Sequence, residues 1–202
     1  MTDQKVEVAE PEVKYRGNTY FEYSKFFGFK AEDLKDKRIL DLGSGHDSFS
    51  RSVKSLFPQL DTEIVSLDIE NQTNIDRAKH VNGTTYTLPF KDNSFDLVLA
   101  HLSIPLWLFD PKDKNRDRSE YLKEAIEKMQ AVLREAARVL RPGGEAKFSP
   151  WGFATNLSTR DNIILREEFT RGMQEATANS ADFTFSMETI FDCPLGHLTK
   201  KS

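Results

Sequence analysis

The chain has 202 residues, enough for one complete hydrophobic core but short for two separate domains. Charged residues make up 30% of it and hydrophobic residues 38%, as in globular chains, and the net charge of −4 disfavours a dedicated nucleic-acid binder without excluding one. Cys193 is the only cysteine, which excludes an intrachain disulfide and a cysteine cluster for zinc.

No segment predicts membrane insertion or secretion. The longest apolar run, residues 97–109, is too short and too interrupted to span a bilayer. Residues 1–14 alternate charges without an apolar stretch, so we expect a poorly ordered lead-in and no signal peptide. These features predict a single-domain cytoplasmic protein with no membrane partner and no metal site, and they leave its oligomeric state open.

Short apolar runs alternate with longer amphipathic stretches in the first half of the chain. The run RILDL (Arg38–Leu42) predicts a strand that ends in a Gly-Ser-Gly turn, and Ser48–Leu56 has the apolar spacing of a helix. Residues 63–69 predict a second strand. Residues 95–100 form the nearly continuous apolar run that is typical of a strand buried on both faces of a parallel sheet.

The second half continues the alternation. The clearest helix covers residues 117–140, with Asp117 as its predicted cap and a Pro-Gly-Gly turn as its predicted end. EAKFSPW then predicts a strand, residues 160–173 a helix, residues 183–187 a late strand, and residues 197–200 a further short one. Strands alternating with helices predict a mostly parallel sheet that is covered on both faces.

A glycine-containing turn and an acidic residue mark the ends of the first two strands. Gly43-Ser44-Gly45 lies between the first strand and its helix, where glycine permits a sharp turn and the helix directs free N–H groups at a ligand. Asp68 ends the second strand, where an acid accepts hydrogen bonds from ribose hydroxyls. Together they predict a nucleoside cofactor, whereas a lone Gly-x-Gly is compatible with an ordinary strand-to-helix turn and Asp68 with a solvated strand-end aspartate.

Four segments follow one another in a fixed order: ILDLGSG, SLDIE, LPFKDNSFDLVLA and LREAARVLRPGGEAKFS. Together, over residues 37–151, they resemble the class I S-adenosylmethionine-dependent methyltransferases, particularly their small-molecule branch. The resemblance implies a Rossmann-like, seven-stranded, mostly parallel sheet with helices on both faces and the last strand antiparallel. A dinucleotide-dependent dehydrogenase fits less well, because Ser48 occupies the last position of the GxGxxG fingerprint.

The resemblance also assigns residues to S-adenosyl-L-methionine, the implied cofactor. The residues implied to contact it are Gly43, Ser44 and Gly45 along its methionine part, Asp41 near its ammonium group, Asp68 on the ribose, Ile69 beside the adenine, Thr84 and Thr85 also at the adenine, and Ala100 and His101 at the methionine end. Arg16 and Tyr20 precede the first strand, where family members often contact the cofactor's carboxylate.

Two positions depart from the family pattern. Thr84 stands where the family often has an acid that reaches the adenine amino group, and a threonine can accept a hydrogen bond there but carries no charge. Asp47 stands where many members have a third glycine, and an aspartate at a helix start is expected to cap it.

The long connection after the fourth predicted strand is where we expect an acceptor pocket. Leu106, Trp107 and Phe109 are candidates to line it. His101 is the candidate base, because an imidazole near its reference pKa of about 6.5 is well matched to accept a hydroxyl proton. His46 in the glycine turn is its competitor, and a structural histidine remains the alternative.

The acceptor itself is not identified by the sequence. The short chain and its acidic balance favour a small molecule. An RNA or protein acceptor would need a basic face, for which the best candidate patch is Lys112, Lys114, Arg116 and Arg118, interleaved with acidic residues. A non-catalytic module that binds S-adenosylmethionine is the third hypothesis, because positions 47 and 84 depart from the family pattern.

Overall fold

Seven strands form one sheet in the computed structural model, which describes residues 19–69, 80–104, 117–149, 159–190 and 193–202. The strands are β1 (Arg38–Leu42), β2 (Glu63–Asp68), β3 (His80–Asn82), β4 (Phe95–His101), β5 (Leu140–Ser149), β6 (Phe183–Ile190) and β7 (Cys193–Lys200). Their order across the sheet is β3-β2-β1-β4-β5-β7-β6. The pairings among β1 to β5 are parallel, and β7 is antiparallel to both β5 and β6. The predicted fold class, including the antiparallel last strand, is confirmed.

The helices connect these strands. They are α1 (Tyr20–Phe27), α2 (Ser48–Leu56), α3 (Arg118–Val139) and α4 (Thr159–Thr177), with a short 3-10 helix at Ala31–Leu34. The α2 helix has the predicted bounds, and Asp117 caps α3 as predicted, because its carboxylate accepts hydrogen bonds from the N–H groups of Ser119 and Glu120. The α1 helix and the three-residue strand β3 were not predicted from the sequence.

The Pro-Gly-Gly turn does not end α3, which corrects the sequence prediction. The helix stops at Val139, and Leu140 adopts extended backbone angles and begins β5 at once. Phe95 of β4 pairs with Leu140, but Leu97 already pairs with Glu145, so the register shifts between them. The turn therefore lies within β5, where it bulges out of the ladder.

Successive side chains of each central strand pack alternately into two apolar clusters, one on each face of the sheet. On β1, Ile39 belongs to the cluster that includes α1 and α2, whereas Leu40 and Leu42 belong to the cluster that includes α3 and α4. All three side chains are fully buried. A sheet with helices on both faces explains why the β1 and β4 sequences are apolar at successive positions.

Within the described part of the chain, no helix is long and apolar enough to cross a membrane. The expected lead-in, residues 1–14, lies outside the described residues.

Candidate active site

The carboxyl ends of β1, β2 and β4 open onto a cavity of about 400 Å³, called the strand-end pocket below. It is lined by Tyr23 and by residues 43–46, 67–69, 83–86 and 101–104. Ligands of open α/β sheets bind in this position because parallel strand ends leave a crevice there.

The glycine turn is held tightly between neighbouring strand ends. The Gly43 N–H donates to the Leu67 carbonyl at 2.7 Å, and the Ser103 hydroxyl donates to the Leu42 carbonyl at 2.8 Å. A Cβ on Gly43 would lie 2.3 Å from the Ser103 Cβ, and Gly43 also has a left-handed φ of +70°. Only glycine therefore fits at position 43 without a shift of the neighbouring strand end.

Asp68 faces the glycine turn from the end of β2. Its Oδ2 accepts a hydrogen bond of 2.9 Å from the Gly45 N–H, and the residue is half-buried. Ile69, the next residue, exposes 61% of its surface. The carboxylate and the turn thus form one polar edge of the strand-end pocket, with an apolar side chain beside it.

Exposed apolar side chains also line the strand-end pocket. Tyr86 is 44% exposed and Leu102 is 46% exposed, although both are large and apolar. Leu102 also has a φ of 49°, a left-handed conformation that costs a leucine about 1–2 kcal/mol. Thr84 and Thr85 line the pocket too, and the Thr84 hydroxyl accepts a hydrogen bond from the Tyr86 N–H.

Asp41 lies behind the pocket wall and does not line it. The residue is fully buried, its Oδ1 accepts a 2.8 Å hydrogen bond from the Tyr23 hydroxyl, and its Oδ2 has no hydrogen-bond partner among the described residues. Burial raises the pKa of Asp41 to about 7, the Tyr23 hydrogen bond lowers it, and the nearby carboxylates of Asp47 and Asp68 raise it further. Tyr23 itself does line the pocket.

Asp47 occupies the cap position of α2 but makes no capping hydrogen bond with its side chain, which corrects the sequence interpretation. Its Oδ1 instead lies 3.1 Å from the Ser44 hydroxyl and 3.1 Å from Nδ1 of His80 on β3. The φ of Asp47 is +56°, a left-handed backbone conformation that glycine adopts without strain, as in the many family members with a glycine here. The carboxylate therefore links the glycine turn to the edge strand.

His101 ends β4 on the pocket wall, inside a cluster of aromatic rings. Its ring lies 4.8 Å from the ring of Phe26, 5.1 Å from Tyr23 and 5.7 Å from Phe27, between centroids. Neither ring nitrogen has a hydrogen-bond partner by distance and angle among the described residues. Burial lowers the pKa of His101 to about 4, with the Ser149 backbone offsetting a small part of this. The expectation of a pKa near 6.5 is wrong, because the ring is desolvated.

Ala100 and Tyr20, two further residues singled out in the sequence, do not line the strand-end pocket. Ala100 is fully buried in the core beneath it, and Tyr20 packs among aromatic rings, with its N–H donating to the Ser52 hydroxyl. Tyr23, one helical turn after Tyr20, reaches the pocket instead. Arg16, the acceptor-loop candidates and the basic patch lie outside the described residues, except that Arg118 begins α3. Among the described residues, no group of three or more His, Cys, Asp or Glu side chains is placed to hold a metal ion.

Residues 40–148, more than half of the chain, match the protein family described as Methyltransferase domain. This match and the sheet order decide the classification. The chain belongs to the class I S-adenosylmethionine-dependent methyltransferase family. The matched residues include the glycine turn, Asp68 and the whole of β4.

Two curated methyltransferases and a solved structure are similar to this class I member. The chain is 30% identical over 127 residues to malonyl-[acyl-carrier protein] O-methyltransferase of Methylococcus capsulatus, covering 58% of this chain and 38% of that one. It is 30% identical over 129 residues to glycine/sarcosine/dimethylglycine N-methyltransferase of Actinopolyspora halophila, covering 59% and 20%. The chain thus spans well under half the length of either relative. A S-adenosylmethionine-dependent methyltransferase from Aquifex aeolicus has the same fold, with a TM-score of 0.53, 12% identity, and coverage of 89% of this chain and 92% of that one.

Proposed function

We propose that this chain binds S-adenosylmethionine in the strand-end pocket and transfers the cofactor's methyl group to a small-molecule acceptor. The observation that carries the proposal is the Asp68 carboxylate hydrogen-bonded to the Gly45 N–H, at the polar edge of a pocket that is also lined by exposed apolar side chains. Family membership supports the reaction type. The names of the two relatives support a small acceptor group, which is a malonyl group on an acyl-carrier protein in one and glycine, sarcosine or dimethylglycine in the other.

The pocket's chemistry fits the parts of this cofactor. Asp68 offers a carboxylate to ribose hydroxyls, and the absence of a side chain at Gly43 and Gly45 lets a ligand approach the backbone of the turn closely. Ile69, Tyr86 and Leu102 offer apolar surface for the faces of an adenine ring. Thr84, which carries no charge, offers its hydroxyl at the adenine edge in place of the family's acid.

The charge around the pocket favours a cationic ligand over a dinucleotide. No lysine or arginine lines the pocket among the residues described. Asp47 places a buried carboxylate at the start of α2, the position where a dinucleotide fold binds its pyrophosphate on free N–H groups. A pyrophosphate would meet a like charge there, whereas a sulfonium and an ammonium group would be attracted to it.

When bound, the cofactor supplies an activated methyl group, so the chain's own task is to position the acceptor and exclude water. His101 is neutral at pH 7 and has too low a pKa to take a proton from a hydroxyl efficiently. We therefore assign His101 a packing role in the pocket wall, beside the rings of Phe26 and Phe27. We also infer that the acceptor atom does not need His101 to remove a proton from it.

The first experiment measures S-adenosylmethionine binding by calorimetry. Asp68→Ala should weaken binding by about tenfold or more, because a hydrogen bond to a charged group contributes about 1.5–3 kcal/mol. Asp61→Ala is the control, since Asp61 is an exposed acid that precedes the opposite, amino end of β2. Equal affinity in the two variants would remove Asp68 from the cofactor site.

The acceptor class needs a separate experiment. The protein is incubated with S-adenosylmethionine carrying a labelled methyl group and with fractionated cell extract. We expect label in the small-molecule fraction. Label in RNA or protein would contradict the small-molecule acceptor, and stoichiometric cofactor binding without turnover would favour a non-catalytic module.

A further inference from the structure

Asp41 is a buried acid without a counter-charge among the residues that the structure describes. It is fully buried, and its Oδ2 has no hydrogen-bond partner among the described residues. The group bonded to its Oδ1 is the neutral Tyr23 hydroxyl, whose pKa burial raises well above its ordinary value, so that it remains a donor. A carboxylate in such surroundings is costly unless it is protonated or a cation comes close.

The described groups that face Asp41 from neighbouring elements do not supply that cation. Asp47 at the start of α2 and Asp68 at the end of β2 add negative charge. On the adjacent strands, Asp41 pairs with Ser66 of β2 and Leu99 of β4, and neither carries a charge. The α1 side contributes the neutral Tyr23.

Asp41 is nevertheless close to the strand-end pocket. It precedes the glycine turn by two residues, and the Tyr23 side chain both bonds to it and lines the pocket. In the low-dielectric interior, a positive charge entering the pocket acts strongly on this carboxyl group.

We propose that Asp41 is a proton-linked cation sensor, which holds a proton in the ligand-free protein at mildly acidic pH and ionises when a cationic ligand occupies the strand-end pocket. The inference rests on the proposed function and extends it to the regulation of that site. On binding, the O–H bond at Oδ2 breaks, the carboxylate keeps the electron pair, and the proton passes to the buffer. Oδ1 keeps its hydrogen bond from Tyr23, which acts as a positioning residue for the carboxylate.

The linkage gives a defined dependence on pH. Because the pKa of Asp41 is about 7 in the ligand-free protein, S-adenosylmethionine should bind roughly 15-fold more tightly at pH 7 than at pH 5.5. At pH 6, binding should release nearly a full proton, measured by calorimetry in buffers of different ionisation enthalpy. The neutral nucleoside 5′-methylthioadenosine should bind with neither effect, because it brings no cation.

Three variants separate Asp41 from its neighbours. Asp41→Asn should abolish the proton release, and Tyr23→Phe should move the pH midpoint of binding upward, because a hydrogen bond that lowers the Asp41 pKa is lost. A purely structural Tyr23 would change the affinity without moving that midpoint. His46→Gln should retain the proton release, although His46 lines the strand-end pocket.

A ligand-free measurement completes the test. The infrared spectrum of the wild type minus that of Asp41→Asn should show a carboxyl group that titrates near pH 7, and a midpoint near pH 4 would overturn the inference. Cofactor binding without proton release would overturn the inference while leaving the proposed function intact. A failure of S-adenosylmethionine to bind at any pH would overturn both.

Discussion

At the scale of single residues, Gly43 and Gly45 make a matched pair. Both have left-handed backbone, with φ of +70° and +54°, but an added Cβ meets the Ser103 side chain only at Gly43 and open space at Gly45. Each alanine variant should lose about 1 kcal/mol through backbone strain, and Gly43→Ala should lose about 1–3 kcal/mol more through overpacking. Urea unfolding of the two variants measures the difference.

The same pair separates folding from binding. Gly45→Ala should leave a folded protein with weakened cofactor binding, because Gly45 lines the strand-end pocket. Substituting Gly43 affects the fold itself, so a valine there is not expected to give a folded, non-binding protein. Equal loss of stability in the two alanine variants would mean that Ser103 moves aside at no cost.

Most of the candidate site was predictable from residues that precede or follow a strand. Gly43, Ser44 and Asp68 stand directly after β1 or at the end of β2, so the order of strands fixes their place at the sheet edge. Tyr23 was missed because it reaches the pocket from α1, at a sequence distance of 18 residues from Asp41. The ionisation of His101 was missed because desolvation depends on rings from α1 that no local pattern places around it.

At the scale of elements, Arg138 of α3 holds the loop that leads into β4. Its guanidinium donates to the carbonyls of Leu88 at 2.9 Å and Phe90 at 2.8 Å and to the carboxylates of Glu135 and Asp92. Arg138→Lys replaces this planar fork with a point charge and should destabilise the fold by about 2 kcal/mol, since at least two of these bonds are lost.

Thermal or urea unfolding measures this effect, and Arg134→Lys is the control. Arg134 lies one turn earlier on the same helix and is exposed. A loss of stability in Arg138→Lys no greater than that in Arg134→Lys would show that the loop is held by other contacts. The pocket residues Thr84 and Thr85 lie just before this loop, so the Arg138 variant should also bind the cofactor more weakly.

Elements with a long periodic pattern were predicted well, and short ones were not. The α1 helix has only eight residues, although Glu22 accepting from the Thr19 N–H and the left-handed Gly28 mark its two ends. With Tyr20, Tyr23 and Phe27 on its buried face, this pattern was available in the sequence. The β3 strand has no such pattern, because its three residues are a strand only through pairing with β2.

At the scale of the whole molecule, both faces of the sheet are covered by helices. This burial explains which features of the structure can be predicted from the sequence and which cannot. Apolar residues at successive positions of β1 and β4 follow directly from burial on both faces. The same burial places Asp41 and His101 in desolvated surroundings at the strand ends. Desolvation raises the pKa of Asp41 to about 7 and lowers the pKa of His101 to about 4. The sequence pattern predicts the apolar strands, but it does not predict the shifted pKa values of Asp41 and His101.

These two buried groups should make opposite contributions to stability across one range of pH. The pKa of Asp41 is raised to about 7, so the folded state holds its proton more tightly and the free energy of unfolding falls as pH rises from about 4 to 7. The pKa of His101 is lowered to about 4, so the unfolded state binds the proton more tightly and stability rises from pH 4 to about 6.5. Each contributes up to about 1.4 kcal/mol per pH unit, and the two slopes cancel in the ligand-free wild type.

Two variants separate the contributions of Asp41 and His101 to the pH dependence of stability. In Asp41→Asn the His101 contribution is left, so stability should rise with pH between 4 and 6.5 relative to the wild type. In His101→Phe, whose new ring fits among Phe26 and Phe27, the Asp41 contribution is left and stability should fall over the same range. Urea unfolding at half-unit steps of pH measures both slopes. If the free energy of unfolding depended on pH in the same way in the wild type and in both variants, neither group would change its protonation on unfolding. Groups that do change their protonation must give the two variants slopes of opposite sign.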